Sequence, residues 1–342
     1  DSIKKMEWSD VSSILAEGGT VIGTARSADF RTYEGRHRAA ANLLEHGIDH
    51  LVVIGGDGSL SGTNEFRGEW AQHVAELAAE GVISPETAAE HPALIIVGLV
   101  GSIDNDLVGT DMTIGADTAL HRILDAIDQL TSTAASHQRT FVVEVMGRHC
   151  GYLPLMAAVA GGADYVFTPE DPAGPGWQDD LAEHLRLGRE AGRRESIVLV
   201  AEGAHDRDGN ELSTQLIADT IQERTGEDAR VTILGHVQRG GTPSAYDRWM
   251  STLLGYAAVQ EILASSADDE PVILGVRRNR ITRIPLMKAV HDTRAVKDLI
   301  AAGDYAAAQA SRGSSFSSMV GINQILSTPP QLTPEPTGEI KR

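Results

Sequence analysis

Short runs of Val, Ile and Leu alternate along the chain with longer stretches in which apolar residues recur at helical spacing. The runs at 20–23, 51–54, 94–99, 140–145, 165–167, 197–201, 231–234 and 272–274 are expected strands. Helical spacing marks 36–45, 66–79, 116–130, 179–190, 216–223 and 246–263, with further helical patterns near 294–302 and 305–310. Such alternation predicts an α/β fold with largely parallel sheets, whose ligands gather beyond the carboxyl ends of strands. The loops just after strands are therefore where chemistry is sought. The stretch 328–342 is rich in proline, has almost nothing to bury and reads as an extended linker. The chain opens on Asp1-Ser2-Ile3-Lys4 without an initiator methionine, so one half of a longer chain is expected. No repeat of short solenoid period is visible.

Composition narrows this picture. The chain has 342 residues, 42% of them hydrophobic, enough for two domains with a core each. A formal net charge of -19 would repel nucleic acid and anionic lipid, so neither is an expected partner. A small anionic substrate is compatible with that charge only if arginines are concentrated locally. The single cysteine, Cys150, can form no intrachain disulfide and fits a reducing, cytoplasmic setting. The most apolar stretches, 94–100 and 153–163, fall short of the roughly 20 residues a membrane-crossing helix needs.

The expected strand ends then supply the chemistry. After 51–54 comes Gly55-Gly56-Asp57-Gly58-Ser59 and a helix expected from about Leu60. Glycines let backbone N–H groups approach phosphate oxygens, a helix N-terminus favours anions, and Asp57 could hold magnesium; a tight turn capped by Asp57 or Ser59 reads equally well. After 94–99 comes Gly101-Ser102-Ile103-Asp104-Asn105-Asp106. Two carboxylates and an amide within three residues could divide base and metal-positioning work, or form an Asx-rich turn. Thr110, Asp111, Thr113 and Asp117 read as turn and capping residues. Arg139 and Arg148 flank the run 140–145, and Met146-Gly147 follows it. Guanidinium groups suit bidentate phosphate binding, and Gly147 allows backbone approach to a ligand. Glu202 ends the run 197–201, while Arg230, His236 and Arg239 frame 231–234; His236 taken alone reads as a packed core histidine. The arginines demanded by the net charge are thus found, always at strand ends.

Taken together, Gly-Gly-Asp-Gly-Ser at 55–59, Ile-Asp-Asn-Asp at 103–106, Met-Gly-Arg at 146–148 and His-Val-Gln-Arg-Gly-Gly at 236–241 resemble the 6-phosphofructokinase family. The resemblance runs in order from about Trp8 to Ile325, and the stretch between the acidic loops is similar to eukaryotic-type members, in which two homologous halves are fused. It implies two parallel-sheet, three-layer α/β domains with a cleft between them. Residues 1–115 with about 238–288 would bind nucleotide, and 116–237 with about 289–327 sugar phosphate. It also implies roles. Asp104 would be the base for the sugar 1-hydroxyl, with Ser102, Ile103 and Asp106 beside it and Arg148 stabilising the transferring phosphoryl group. Asp57 would hold Mg2+, and Arg26, Ser27, Gly56, Gly58 and Ser59 would line ATP, the co-substrate. Met146, Gly147, Glu202, His236, Val237, Gln238 and Arg239 would contact fructose 6-phosphate. Arg139 and Arg230 would reach the 6-phosphate of a neighbouring subunit in a homo- or hetero-oligomer. Arg193 and Asp164 fall where effector-site residues lie in the family. Retention of Asp104 and Asp106 marks the catalytic half, although the family's opening strand and glycine-rich loop are absent before Asp1. Glycine at 58 and 101, where pyrophosphate-dependent relatives carry Asp and Lys, favours ATP as donor. The alternatives are a non-catalytic sugar-phosphate-binding regulatory module and a pyrophosphate-dependent enzyme.

Overall fold

The structure, a computed structural model, describes residues 3–137 and 139–329. Chain order runs α1 (Tyr33–Glu45), β1 (His50–Gly55), α2 (Asp57–Ala79), α3 (Pro85–Glu90), β2 (Ile95–Val100) and α4 (Ala116–His137). It continues with β3 (Thr140–Val145), α5 (Tyr152–Gly161), β4 (Tyr165–Phe167), α6 (Trp177–Glu190), β5 (Ser196–Ala201), α7 (Thr214–Thr225) and β6 (Ala229–Ile233). After a 3-10 turn at Gly235–Arg239 come α8 (Ala245–Ala264), β7 (Val272–Arg277), β8 (Arg280–Pro285), α9 (Leu286–Ala301), α10 (Tyr305–Ser311) and α11 (Ser314–Ser327).

The chain divides into two compact units. Among the described residues, the first takes the chain as far as Ser102, Leu107–Asp117 and Gly241–Ala295; the second takes Ile103–Asp106, Thr118–Gly240 and the described chain from Val296. In the first unit four strands lie in the order β1-β2-β7-β8, parallel except for the β7–β8 hairpin. Its core joins Leu60, Phe66, Trp70 and Leu77 of α2 to Val97 and Leu99 of β2 and to Met250 and Leu254 of α8. In the second, β4-β5-β3-β6 are all parallel. There β5, Ser-Ile-Val-Leu-Val-Ala, is buried at every position because helices cover both faces, and an unbroken apolar run is what such a strand requires. The second unit's apolar clusters pack β5 against α6 and α7 through Leu181, Leu185, Ile217 and Ile221, and against α4 and α5 through Ile123, Ile127, Leu153 and Ala157.

Several expectations are corrected. Residues 20–23 form an exposed turn: Val21 and Ile22 are 56% and 77% exposed, and Gly23 takes a left-handed φ of 70°. Among the described residues neither Val21 nor Ile22 pairs with a strand, and both side chains stay exposed. The helix expected from about Leu60 starts at Asp57, because Gly56 in extended conformation serves as its N-cap. β8, antiparallel to β7, was not expected; its two-residue turn, Arg278 and Asn279, has φ of 50° and 60°, the type I′ geometry that joins twisted strands. α5 carries Pro154 at its third position, where a missing N–H breaks no helical bond. Of the proline-rich stretch, 330–342 lies outside the described residues. No helix among the described residues is long and apolar enough to cross a membrane.

Candidate active site

In the first unit β1 and β2 end side by side, with the Gly101 N–H donating to the Gly55 carbonyl at 3.2 Å. A Cβ at Gly101 would lie 3.0 Å from the Gly55 nitrogen and 3.1 Å from Ile54 Cγ2, so this strand end closes around glycine. Asp57, Gly58 and Ser59 form the first turn of the 23-residue α2, whose N-cap Gly56 offers no side-chain cap. Their N–H groups, with the positive end of the helix dipole, suit phosphate oxygens. A Cβ at Gly58 would meet nothing within 4 Å. The Asp57 carboxylate, 42% exposed, sits 3.3 Å from Arg294 Nε, and Arg294 Nη2 donates to Ser61 Oγ at 2.9 Å. Arg294 on α9 thus neutralises the carboxylate read as the metal ligand. As a hard oxygen donor beside the first N–H groups of α2, Asp57 is chemically suited to magnesium. Arg26 and Ser27 are exposed, and Ser27 Oγ accepts the Phe30 N–H. The residues read as turn and capping groups brace this unit. Thr113 Oγ1 donates to the Ser102 carbonyl, Thr110 is hydrogen-bonded to both backbone groups of Val276, Asp111 accepts the Arg278 N–H, and Asp117 accepts the Ser244 hydroxyl.

In the second unit Arg148, Glu202, His236 and Arg239 follow the carboxyl ends of β3, β5 and β6, whereas Arg139 and Arg230 lie at the amino ends of β3 and β6. Asp104 is 5% exposed. Burial, reinforced by the neighbouring charge of Asp106, raises its carboxyl to about 6, while Arg148 and Arg239 hold it from rising further. Arg148 Nε lies 3.8 Å from Asp104 Oδ2, with the guanidinium 53% exposed and thus open to an anion. Asn105 and Arg148 both have φ of 52°, a strained left-handed conformation for residues with a Cβ. Gly147, at φ 149°, makes room for the turn after β3; a Cβ there would lie 2.3 Å from the Cys150 carbonyl oxygen. Glu202 is exposed just beyond β5, its N–H donating to the Val145 carbonyl at 2.7 Å. His236 and Arg239 are exposed within the 3-10 turn after β6, so His236 is not a core histidine, and Val237 is 67% exposed.

Gln238 differs from its expected role. It is 1% exposed, accepts the Met146 N–H at 3.1 Å and donates to the Gly235 carbonyl at 2.9 Å, so both ends of its amide hold loops in place. Arg139 and Arg230 converge on Asp228, each 2.9 Å from its Oδ2. Asp164 and Arg193 form an ion pair, and Asp164 also accepts the Ile197 N–H at 2.9 Å. The Cys150 thiol is fully buried and raised by burial, so it is inert at neutral pH.

Two groups that motif reading missed organise these loops. Arg312, 6% exposed at its side chain, donates to the carbonyls of Asp106 and His149 at 2.9 and 2.8 Å and pairs with Glu170 at 2.8 Å. Glu170 is fully buried and also accepts the Gly151 N–H at 2.8 Å. One guanidinium thus joins the 103–106 loop to the 146–151 loop. The only sequence signal was an arginine amid the small residues between two helices.

Fold and loops together define a largely parallel α/β protein in which Asp57, Asp104, Arg148, Glu202 and Arg239 follow strand carboxyl ends. The chain belongs to the phosphofructokinase family: the family model described as Phosphofructokinase matches residues 1–262. It is 50% identical over 326 residues to the liver-type ATP-dependent 6-phosphofructokinase of Homo sapiens, covering 95% of this chain and 42% of that protein. The solved structure of phosphofructokinase from Saccharomyces cerevisiae matches with a TM-score of 0.92 at 50% identity, covering 94% of this chain and 43% of that one. A pyrophosphate-dependent phosphofructokinase from Marinobacter aquaeolei shares the fold, at a TM-score of 0.61 and 20% identity over 79% of this chain and 66% of its own. The chain therefore spans less than half the length of the human and yeast relatives.

Proposed function

We propose that the protein containing this chain transfers the γ-phosphoryl group of ATP to the 1-hydroxyl of fructose 6-phosphate, giving fructose 1,6-bisphosphate and ADP in glycolysis, in the cytoplasm. The observation that carries this reading is the buried Asp104 carboxyl, poised at about 6 with Arg148 3.8 Å away, in a chain of this family. A carboxylate is a base for an alcohol only when its proton affinity approaches the working pH, and burial provides that. In this reading Asp104 takes the 1-hydroxyl proton, with Ser102, Ile103 and Asp106 shaping its loop. Arg148 meets the negative charge of the transferring group. Met146, Gly147, Glu202, His236, Val237 and Arg239 hold the sugar phosphate, and Gln238 positions Met146. Arg139 and Arg230, gathered by Asp228, bind the 6-phosphate of a neighbouring subunit's substrate in a homo- or hetero-oligomer.

The first unit holds the donor. Gly56, Gly58 and Ser59 at the start of α2 receive ATP phosphates, with Arg26 and Ser27 on a further nucleotide segment. Asp57 is the residue suited to Mg2+, which when bound offsets phosphate charge. The closed surroundings of Gly101 support ATP over pyrophosphate, since a lysine there would press on the Gly55 backbone. A coupled assay on the complete enzyme tests the reading. Fructose 1,6-bisphosphate should form only with ATP and Mg2+, and Asp104→Ser should lower kcat by about 10²–10⁴-fold, the range for a lost general base. Unchanged turnover in that variant would sink the assignment of Asp104, and faster turnover with pyrophosphate would sink the choice of donor.

A further inference from the structure

Far along α2 from its phosphate-facing end, two histidines meet with no part in the proposed reaction. His37 of α1 and His73 of α2 bring their Nδ1 atoms to 3.2 Å, and Glu76 places Oε2 3.6 Å from His37 Nδ1. One ligand atom from each of the three lies within 4.8 Å of the others. We propose that His37, His73 and Glu76 form a binding site for a divalent transition-metal ion of the zinc class, clamping α1 to α2.

The groups behind the rings make a direct imidazole hydrogen bond a poor explanation. His37 Nε2 faces Glu80 at 3.6 Å, and His73 Nε2 faces Glu69 at 3.3 Å. If either ring carried its proton on Nδ1 to bond the other, its Nε2 lone pair would point at a carboxylate. With both protons on Nε2, both Nδ1 lone pairs face one another, an arrangement that either a metal ion between them or a further proton on one ring relieves. That is the tautomer in which ligating histidines are normally held, the other ring nitrogen directed at a carboxylate. His73 is fully buried, with its Nε2 3.3 Å from Glu69 Oε2. Glu69 is fixed by Arg36 through contacts of 2.6 and 2.8 Å, and Glu76 by the Tyr33 hydroxyl and the Gln72 amide at 2.8 Å each.

Zinc–nitrogen bonds of about 2.0–2.1 Å in a tetrahedron put neighbouring ligand atoms about 3.3 Å apart, between the observed 3.2 Å of the His37–His73 pair and 3.6 Å of the His37–Glu76 pair, with His73 and Glu76 within 4.8 Å of each other. Two imidazoles select zinc, cobalt or nickel over magnesium, which prefers oxygen. Three protein ligands leave the fourth position to water.

The test is metal titration of the untagged full chain, stripped with chelator and held in excess Mg2+. One equivalent of Zn2+ should bind and raise the thermal midpoint, and Co2+ in its place should give the intense visible absorption of a tetrahedral site. His37→Leu/His73→Leu, which replaces the rings with apolar side chains, should fold but lose both signals, while Glu69→Gln should weaken binding about tenfold or more. If the double variant does not fold, His37→Ala/Glu76→Gln, at half-buried positions, must abolish the Co2+ spectrum. Failure of Zn2+ to bind stoichiometrically, or a Co2+ spectrum unchanged in the variants, overturns the proposal.

Discussion

Replacing Asp104 with Asn preserves the shape of the side chain and removes its charge, which separates the proposed catalytic role from the energetic consequence of burial. The folded carboxyl titrates near 6, against an ordinary value of 3.8. Below pH 3.8 both folded and unfolded states hold the proton, and the native state bears no penalty. As pH rises from 3.8 to 6 the unfolded chain releases its proton first, so a penalty accumulates, and above 6 it is complete. About two pKa units correspond to about 3 kcal/mol of lost stability at pH 8, with roughly half of that present at pH 5. Asp104→Asn should therefore stabilise the protein by about 3 kcal/mol at pH 8 and by about half as much at pH 5, while lowering kcat by about 10²–10⁴-fold. Wild-type kcat should rise with pH through about 6 and level off above it as the base is freed. Reversible urea unfolding at the two pH values, with parallel pH–rate profiles, measures both effects. A variant less stable than wild type at pH 8, or a gain independent of pH, would refute the burial argument, and a wild-type rate flat from pH 5 to 8 would refute the base.

Three further outcomes are expected. Arg312→Met leaves Glu170 buried without its partner and should cost about 3–5 kcal/mol by urea unfolding, with Arg312→Met/Glu170→Gln recovering part of the loss. Gly147→Ala forces a Cβ against the Cys150 carbonyl and should lower the thermal midpoint and kcat together, because the turn that presents Arg148 must shift. Arg139→Ala and Arg230→Ala should each raise the KM for fructose 6-phosphate about tenfold or more with little change in fold stability, since each loses a charge-assisted phosphate contact and only a half-exposed pair with Asp228.

Strands were legible where burial on both faces forced a nearly unbroken apolar run, as in β2 and β5, because few residues can substitute for Val, Ile and Leu there. The run 20–23 shows the limit of that reasoning: its residues are strand-formers, but pairing depends on neighbours that a local pattern does not specify. β8 was hidden because Arg280-Ile-Thr-Arg-Ile-Pro alternates too weakly, and its Arg-Asn turn lacks the usual glycine. α11 was hidden by a serine-rich start after Gly313. Candidate site residues following strands could be found locally, since glycine, aspartate and arginine there have few purely structural uses at that density. Arg294 and Arg312 could not, because they meet Asp57 and Asp106 from 237 and 206 residues away, and only the folded chain brings each pair together.

The Arg312 tether also imposes an order on synthesis. Both loops that it joins are made long before Arg312 itself, so a nascent chain can assemble β3 and β5 while the Asp106 and His149 carbonyls still lack their shared donor. At synthesis rates of roughly 5–20 residues per second, that donor emerges on the order of ten seconds or more after His149. Until then the buried Glu170 has no guanidinium beside it, and the second unit on the ribosome is an incomplete fold whose closing step waits for the helices that flank Arg312.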